Sequence, residues 1–143
     1  MTDCVCLDAN VLIKAFIPEE GRDRAVMLLK WVRDSEAEIV APAFMQAEVL
    51  SSIRRKVAHR QITAEEGEQA ARLVLSLEVR EVSGTRMYER AWELSGQLGM
   101  VTIYDAVYLA VAEAQNAEFW TADRKLYDQA KVFSWEWPGP KLL

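Results

Sequence analysis

Three carboxylates in this chain stand apart from every other charge. Asp8 is the only charged residue between Asp3 and Lys14, Glu48 the only one between Glu38 and Arg54, and Asp105 the only one between Glu93 and Glu113. Their neighbours are apolar enough to pack into a core, where an ionised carboxylate is costly unless paired or bound to a cation. A fourth acid, Asp123, closes the run Phe-Trp-Thr-Ala-Asp. Carboxylates brought together repel one another and cannot all ionise near neutral pH without a compensating positive charge. Oxygen-only ligation suits Mg2+ or Mn2+, hard ions that keep several of their waters. One or two such ions, about 3.5–4 Å apart when two are present, can activate a water and stabilise the leaving oxygen of a phosphodiester. Each acid also has a plainer reading. Asp8, Asp105 and Asp123 all suit the start of a helix, and Glu48 suits the solvated flank of one. Convergence separates the two readings, because helix caps have no reason to be neighbours.

Topology supplies the convergence. Short apolar strands alternate with helical patterns: strands at 4–7, 39–40, 79–82 and 118–121, with 132–135 as a candidate fifth. Helices are expected at 11–16, 22–34, 43–60, 63–77, 85–98, 103–115 and 123–130, and the tail from 137 reads as extended. Thr63 with Glu66 is a capping-box pattern, Thr102 stands where a helix cap would, and Gly99 suits a helix stop. Such alternation predicts an α/β fold with a mostly parallel central sheet of four to five strands flanked by helices, in one domain spanning residues 1–143. Asp8 and Asp123 then lie at the carboxyl ends of strands. Glu48 and Asp105 fall in early turns of helices that begin at the same edge. All four carboxylates meet on one rim, where sites of open α/β sheets lie.

Composition removes other classes. The 143 residues are 51% hydrophobic and 27% charged, enough apolar surface for a core. Seventeen Lys and Arg against 22 Asp and Glu leave a net charge of −5, which excludes gripping nucleic acid or membrane by bulk positive charge. No apolar run is long enough for a membrane span, and the first residues do not read as a signal peptide. Cys4 and Cys6 share one face of a strand, a poor geometry for a disulfide, and no further Cys exists to build a zinc site. Free thiols imply a reducing compartment, the cytoplasm. The single histidine, His59, has no triad or zinc partners in view. Glycine-rich nucleotide loops are missing. Asn10 replaces the second acid of the Asp-x-Asp that an aspartyl-phosphate enzyme needs, and Val82-Ser83-Gly84 stands where a phosphoacceptor domain carries its Asp.

Four motifs in order carry a resemblance: Leu7-Asp8-Ala9-Asn10-Val11-Leu12-Ile13, Ala47-Glu48-Val49, Tyr104-Asp105-Ala106 and Thr121-Ala122-Asp123-Arg124. Together they resemble the motifs of PIN-domain ribonucleases, most closely VapC-type toxins of toxin–antitoxin pairs, over nearly the whole chain. The resemblance implies a PIN-like three-layer fold and a Mg2+- or Mn2+-dependent endoribonuclease. Asp8, Glu48, Asp105 and Asp123 would be its catalytic metal ligands, with Asn10 and Thr121 orienting ligands or water by hydrogen bonds. It also implies RNA as the substrate, a cognate antitoxin whose basic segment occupies the acidic rim, and a homodimer.

Phosphate contact has to come from local cations. Arg54, Arg55, Lys56 and Arg60 on one helix, and Arg124 with Lys125 beside Asp123, are the candidates, set against the plainer reading of a solvated helix face. The five tryptophans are expected mainly in packing rather than base stacking. The competing functional class is a non-catalytic PIN-like module that binds RNA or protein, for which an intact set of four acids has no use.

Overall fold

Every residue of the first strand is buried, which places β1 (Cys4–Leu7) in the middle of the molecule rather than at an edge. The computed structural model describes residues 3–143. After β1 come α1 (Ala9–Phe16), α2 (Arg22–Asp34), β2 (Glu38–Pro42), α3 (Met45–Ala58), α4 (Ala64–Ser76) and β3 (Val79–Val82). The second half contains α5 (Thr85–Gln97), α6 (Tyr104–Gln115), β4 (Glu118–Thr121), α7 (Arg124–Lys131) and β5 (Pro140–Leu142).

The strands form one sheet in the order β3-β2-β1-β4-β5, and every pairing is parallel. The sheet grows from β1 towards β2 and β3, then reverses to add β4 and β5 on the other side. With right-handed crossovers this reversal puts α1–α4 on one face and α5–α7 on the other, giving three layers. It also opens a crevice between the carboxyl ends of β1 and β4, the topological switch point where ligands bind in such sheets. Register aligns the two strands there: Leu7 faces Trp120, and the Asp8 amide donates to the Trp120 carbonyl at 2.9 Å.

α6 is the central helix. Residues 106–112 are all buried, so it is apolar all round, packed against α5 and against β1, β2 and β4. Both cysteines are buried; Cys4 Sγ donates to the Gln115 carbonyl at 3.1 Å and Cys6 Sγ to the Tyr108 carbonyl at 3.7 Å. α4 carries the complete capping box, with Glu66 N donating to Thr63 Oγ1 at 3.0 Å and Thr63 N donating to Glu66 Oε1 at 2.8 Å.

Three expectations need correction. The stretch 132–135 is no strand; β5 lies further on, in the tail read as merely extended. The aromatic residues that suggested a strand stack on one another instead: Phe133 on Trp135 at 4.6 Å and Trp135 on Trp137 at 4.9 Å. Trp135 Nε1 also donates to the Ala130 carbonyl, closing the end of α7. Pro140 opens a strand at the sheet edge, where its missing N–H costs no ladder bond. Thr102 does not cap α6, which starts at Tyr104 with Ile103 in the cap position and no side-chain cap. The helix expected over 43–60 is shorter at both ends, since Ala43 and Phe44 form a turn. Among the described residues no helix is long and apolar enough to cross a membrane.

Candidate active site at the carboxyl rim

Asp8 follows the last residue of β1 and has the extended backbone of a helix cap, yet its side chain does not cap α1. It turns towards β4. Asp8 Oδ2 accepts from Thr121 Oγ1 at 2.9 Å and from Asn10 Nδ2 at 3.1 Å. Thr121 is fully buried and Asp8 nearly so. Asn10 completes a clamp across the switch point, its Oδ1 accepting from the Ala122 amide at 3.0 Å and its Nδ2 reaching Thr121 Oγ1 at 3.4 Å. Thr121 Oγ1 also accepts from the Asp123 amide at 3.0 Å, which fixes the turn into α7. Both bonds to Asp8 fall on Oδ2, so Oδ1 is the oxygen left for the cleft.

The other three acids arrive from different elements. Glu48 stands in the first turn of α3, where Oε1 accepts from the buried Tyr108 hydroxyl at 2.8 Å. Asp105 is in the first turn of α6, half-buried, with no hydrogen-bond partner among the described residues. Asp123 is exposed and caps α7, accepting from the Leu126 amide at 3.1 Å. The plainer reading is therefore right for Asp123 as far as it goes and wrong for Asp8. All four line a single cleft of about 400 Å³, together with Asn10, Ser51, Ser52 and Arg55.

The acids feel one another. Burial pushes the Asp8 carboxyl up to about 7; the Thr121 hydrogen bond opposes this, and the charges of Asp105 and Glu48 add to it. Burial also raises Asp105, with Asp123 and Glu48 reinforcing the shift. Tyr108 is raised by burial and then by Glu48, so its hydroxyl stays protonated and donates. An oxygen-only set this short of positive charge fits a hard divalent ion. Among the described residues no three potential ligand groups enclose such an ion unaided.

The candidate phosphate contacts divide. Arg55 lines the acid cleft, and Arg54 lines the adjoining groove between α3 and α4. Arg124 is exposed beside Asp123, 3.8 Å from Asp128. Lys56 is drawn away: its Nζ pairs with Glu19 Oε2 at 3.4 Å, and Glu19 also holds Lys14 at 3.1 Å. His59 and Arg60 lie beyond the far end of α3, roughly 16–18 Å from Glu48 along the helix axis, and so outside the site.

The PIN domain family model matches residues 5–132. The chain belongs to the PIN domain family. It is 27% identical to VapC ribonuclease Mb0985 of Mycobacterium bovis over 128 residues, covering 90% of this chain and 92% of the relative. In fold it is similar to VapC20 of Mycobacterium tuberculosis, described as a Sarcin-Ricin loop cleaving toxin, with a TM-score of 0.65, 18% identity and coverage of 94% and 99%. It is likewise similar to a chain of a toxin–antitoxin complex from Klebsiella pneumoniae, with a TM-score of 0.63, 19% identity and coverage of 86% and 89%.

Two features of this PIN domain's rim escape sequence reasoning. Tyr108 reads as core because α6 is apolar on every side, and only its contact with Glu48 shows a second use for it. Ser51 and Ser52 face the acids, but serines on a helix carry no distinguishing pattern.

Proposed function

We propose that this PIN domain is a divalent-cation-dependent endoribonuclease and the toxin of a toxin–antitoxin pair. The observation that carries the reading is Asp8, buried at the switch point with Thr121 and Asn10 holding one oxygen while Glu48, Asp105 and Asp123 face the same cleft. Ribonucleases among its relatives support the substrate class.

Hydrolysis adds water across one P–O bond: the water oxygen bonds to phosphorus, and a ribose oxygen leaves and takes up a proton. Asp8 Oδ1 and the free oxygens of Glu48, Asp105 and Asp123 would hold Mg2+ or Mn2+, one ion or two. Such an ion would polarise the phosphate and favour loss of a proton from water. The clamp of Asn10 and Thr121 fixes Asp8 before substrate arrives. The Tyr108 hydroxyl occupies Glu48 Oε1 and leaves Oε2 for the cleft. Arg55 offers its guanidinium, at the cleft wall, to a phosphate next to the scissile one.

A basic segment of an antitoxin suits the same acidic rim, and the toxin–antitoxin complex among the structural neighbours supports such a partner. A homodimer and a cytoplasmic setting complete the proposal. The test is cleavage of single-stranded RNA with Mn2+ or Mg2+, set against chelator and against Asp8→Asn and Asp105→Asn. Both variants should fold, by circular dichroism, and lose at least a hundredfold in rate. Undiminished cleavage by either variant sinks the assignment, and RNA binding without cleavage by the wild type would favour a binding module.

A further inference from the structure

Asp105 and Asp123 line two clefts, one on each side of them. The first is the acid cleft with Arg55; the second, about 260 Å³, lies between the loop at 99–102 and the start of α7. The acid cleft in turn shares Ser51 and Arg55 with the groove between α3 and α4 that contains Arg54. The carboxylates therefore sit in the middle of a track rather than at the bottom of a blind pocket. Cations occur at both ends, Arg54 and Arg55 on one side and Lys125 on the other, none with an ion-pair partner among the described residues.

The second cleft is firmly built. Gln129 Nε2 donates to the Leu98 carbonyl at 2.6 Å, tying α7 to the end of α5, and Leu126 is buried beneath. Val101 is completely exposed at its lip, an apolar surface of the kind a base covers. Asp105 and Asp123 oppose an anion here, as they do in the first cleft, so a phosphate enters only beside a cation. Lys125 supplies one.

We propose that this second cleft is a nucleotide subsite: it holds the RNA nucleotide on the opposite side of the scissile phosphate from Arg55, with Lys125 on its phosphate and Val101 against its base. The inference rests on the ribonuclease reading and gives it a polarity, with substrate required on both sides of the cut. A chain end alone fills only half of the track.

The test is methylphosphonate scanning of a single-stranded RNA 12-mer that the full chain binds, with Kd read by fluorescence anisotropy for wild type, Lys125→Gln and Arg55→Gln. Both side chains are at the surface, so the variants fold. Lys125→Gln should weaken binding about fivefold, the size of a ~1 kcal/mol charge contact. That loss should vanish when one particular phosphate is neutralised, while Arg55→Gln couples to a different phosphate and the cut falls between the two. Unchanged affinity for Lys125→Gln, or coupling of both variants to the same phosphate, overturns the subsite. Two separate couplings without cleavage would support the subsite and sink the hydrolase reading; cleavage without coupling does the reverse.

Discussion

Asp8 ties the stability of the chain to pH and to cations. Its carboxyl titrates near 7 in the folded protein against an ordinary value of 3.8, because burial and two neighbouring acids oppose the charge. Between those values the folded state keeps a proton that the unfolded chain has released. Stability therefore falls as pH rises from about 4 and is lowest above about 7, a loss on the order of 4 kcal/mol. Asp105 shifts in the same direction and adds to the slope. In chelator, the melting temperature should drop between pH 5 and pH 8, and Asp8→Asn should remove most of that drop. Adding Mn2+ at pH 8 should raise the wild-type melting temperature and leave the variant's nearly unchanged; a variant no more stable than wild type at pH 8 would contradict the account. Tyr108 gives a second prediction. In Tyr108→Phe, Glu48 loses its buried donor while the ring keeps its edge contact with Phe44 at 5.7 Å. Stability should fall by about 1 kcal/mol, and Mn2+ affinity by calorimetry should weaken about tenfold, as for other partners of metal ligands. Asp8, Glu48 and Asp105 were legible in the sequence because a lone charge in an apolar segment has to be explained. Tyr108 was not, since one more large residue on a wholly buried helix looks like packing.

Elements decide whether those residues meet. α3 presents Glu48 and Arg55 to the cleft, and its seat on α4 depends on a close approach at Gly67. A Cβ there would lie 2.3 Å from Val57 Cγ2, and a branched side chain on a packed helix has little room to give way. Gly67→Ala should cost roughly 1–3 kcal/mol despite its better helix propensity. Urea denaturation checks this, and a variant as stable as wild type would show that the two helices adjust freely. The capping box at Thr63 was readable because it is local, needing only two residues three apart. The parallel sheet was readable from the alternation of strands and helices. The last strand was not. β5 has three residues and begins with proline, while the aromatic run before it has the stronger strand character but is used to cover the end of α7. Its position depends on pairing with β4, a tertiary contact with no local signal.

For the whole molecule, a net charge of −5 and a polyanionic substrate set a limit that can be measured. Several Lys and Arg are committed elsewhere: Lys14 and Lys56 hold Glu19, Arg80 holds Glu38, and Arg90 spans Glu93 and Glu113. Arg54, Arg55 and Lys125 line the track, and Arg124, exposed next to Asp123, is the fourth cation within reach of it. Single-stranded nucleic acid releases about 0.7 counterion per phosphate neutralised, so four contacts give a slope of about −3 in log K against log salt. A basic binder making eight or more contacts would approach −6. Anisotropy titrations from 50 to 300 mM salt, at fixed free Mn2+, should return a slope no steeper than about −3, falling by about 0.7 in Lys125→Gln. A steep slope would place the RNA on a surface other than this rim. A shallow one leaves the protein dependent on divalent cations at the acids for binding as well as for cleavage, so RNA affinity should collapse in chelator at every salt concentration.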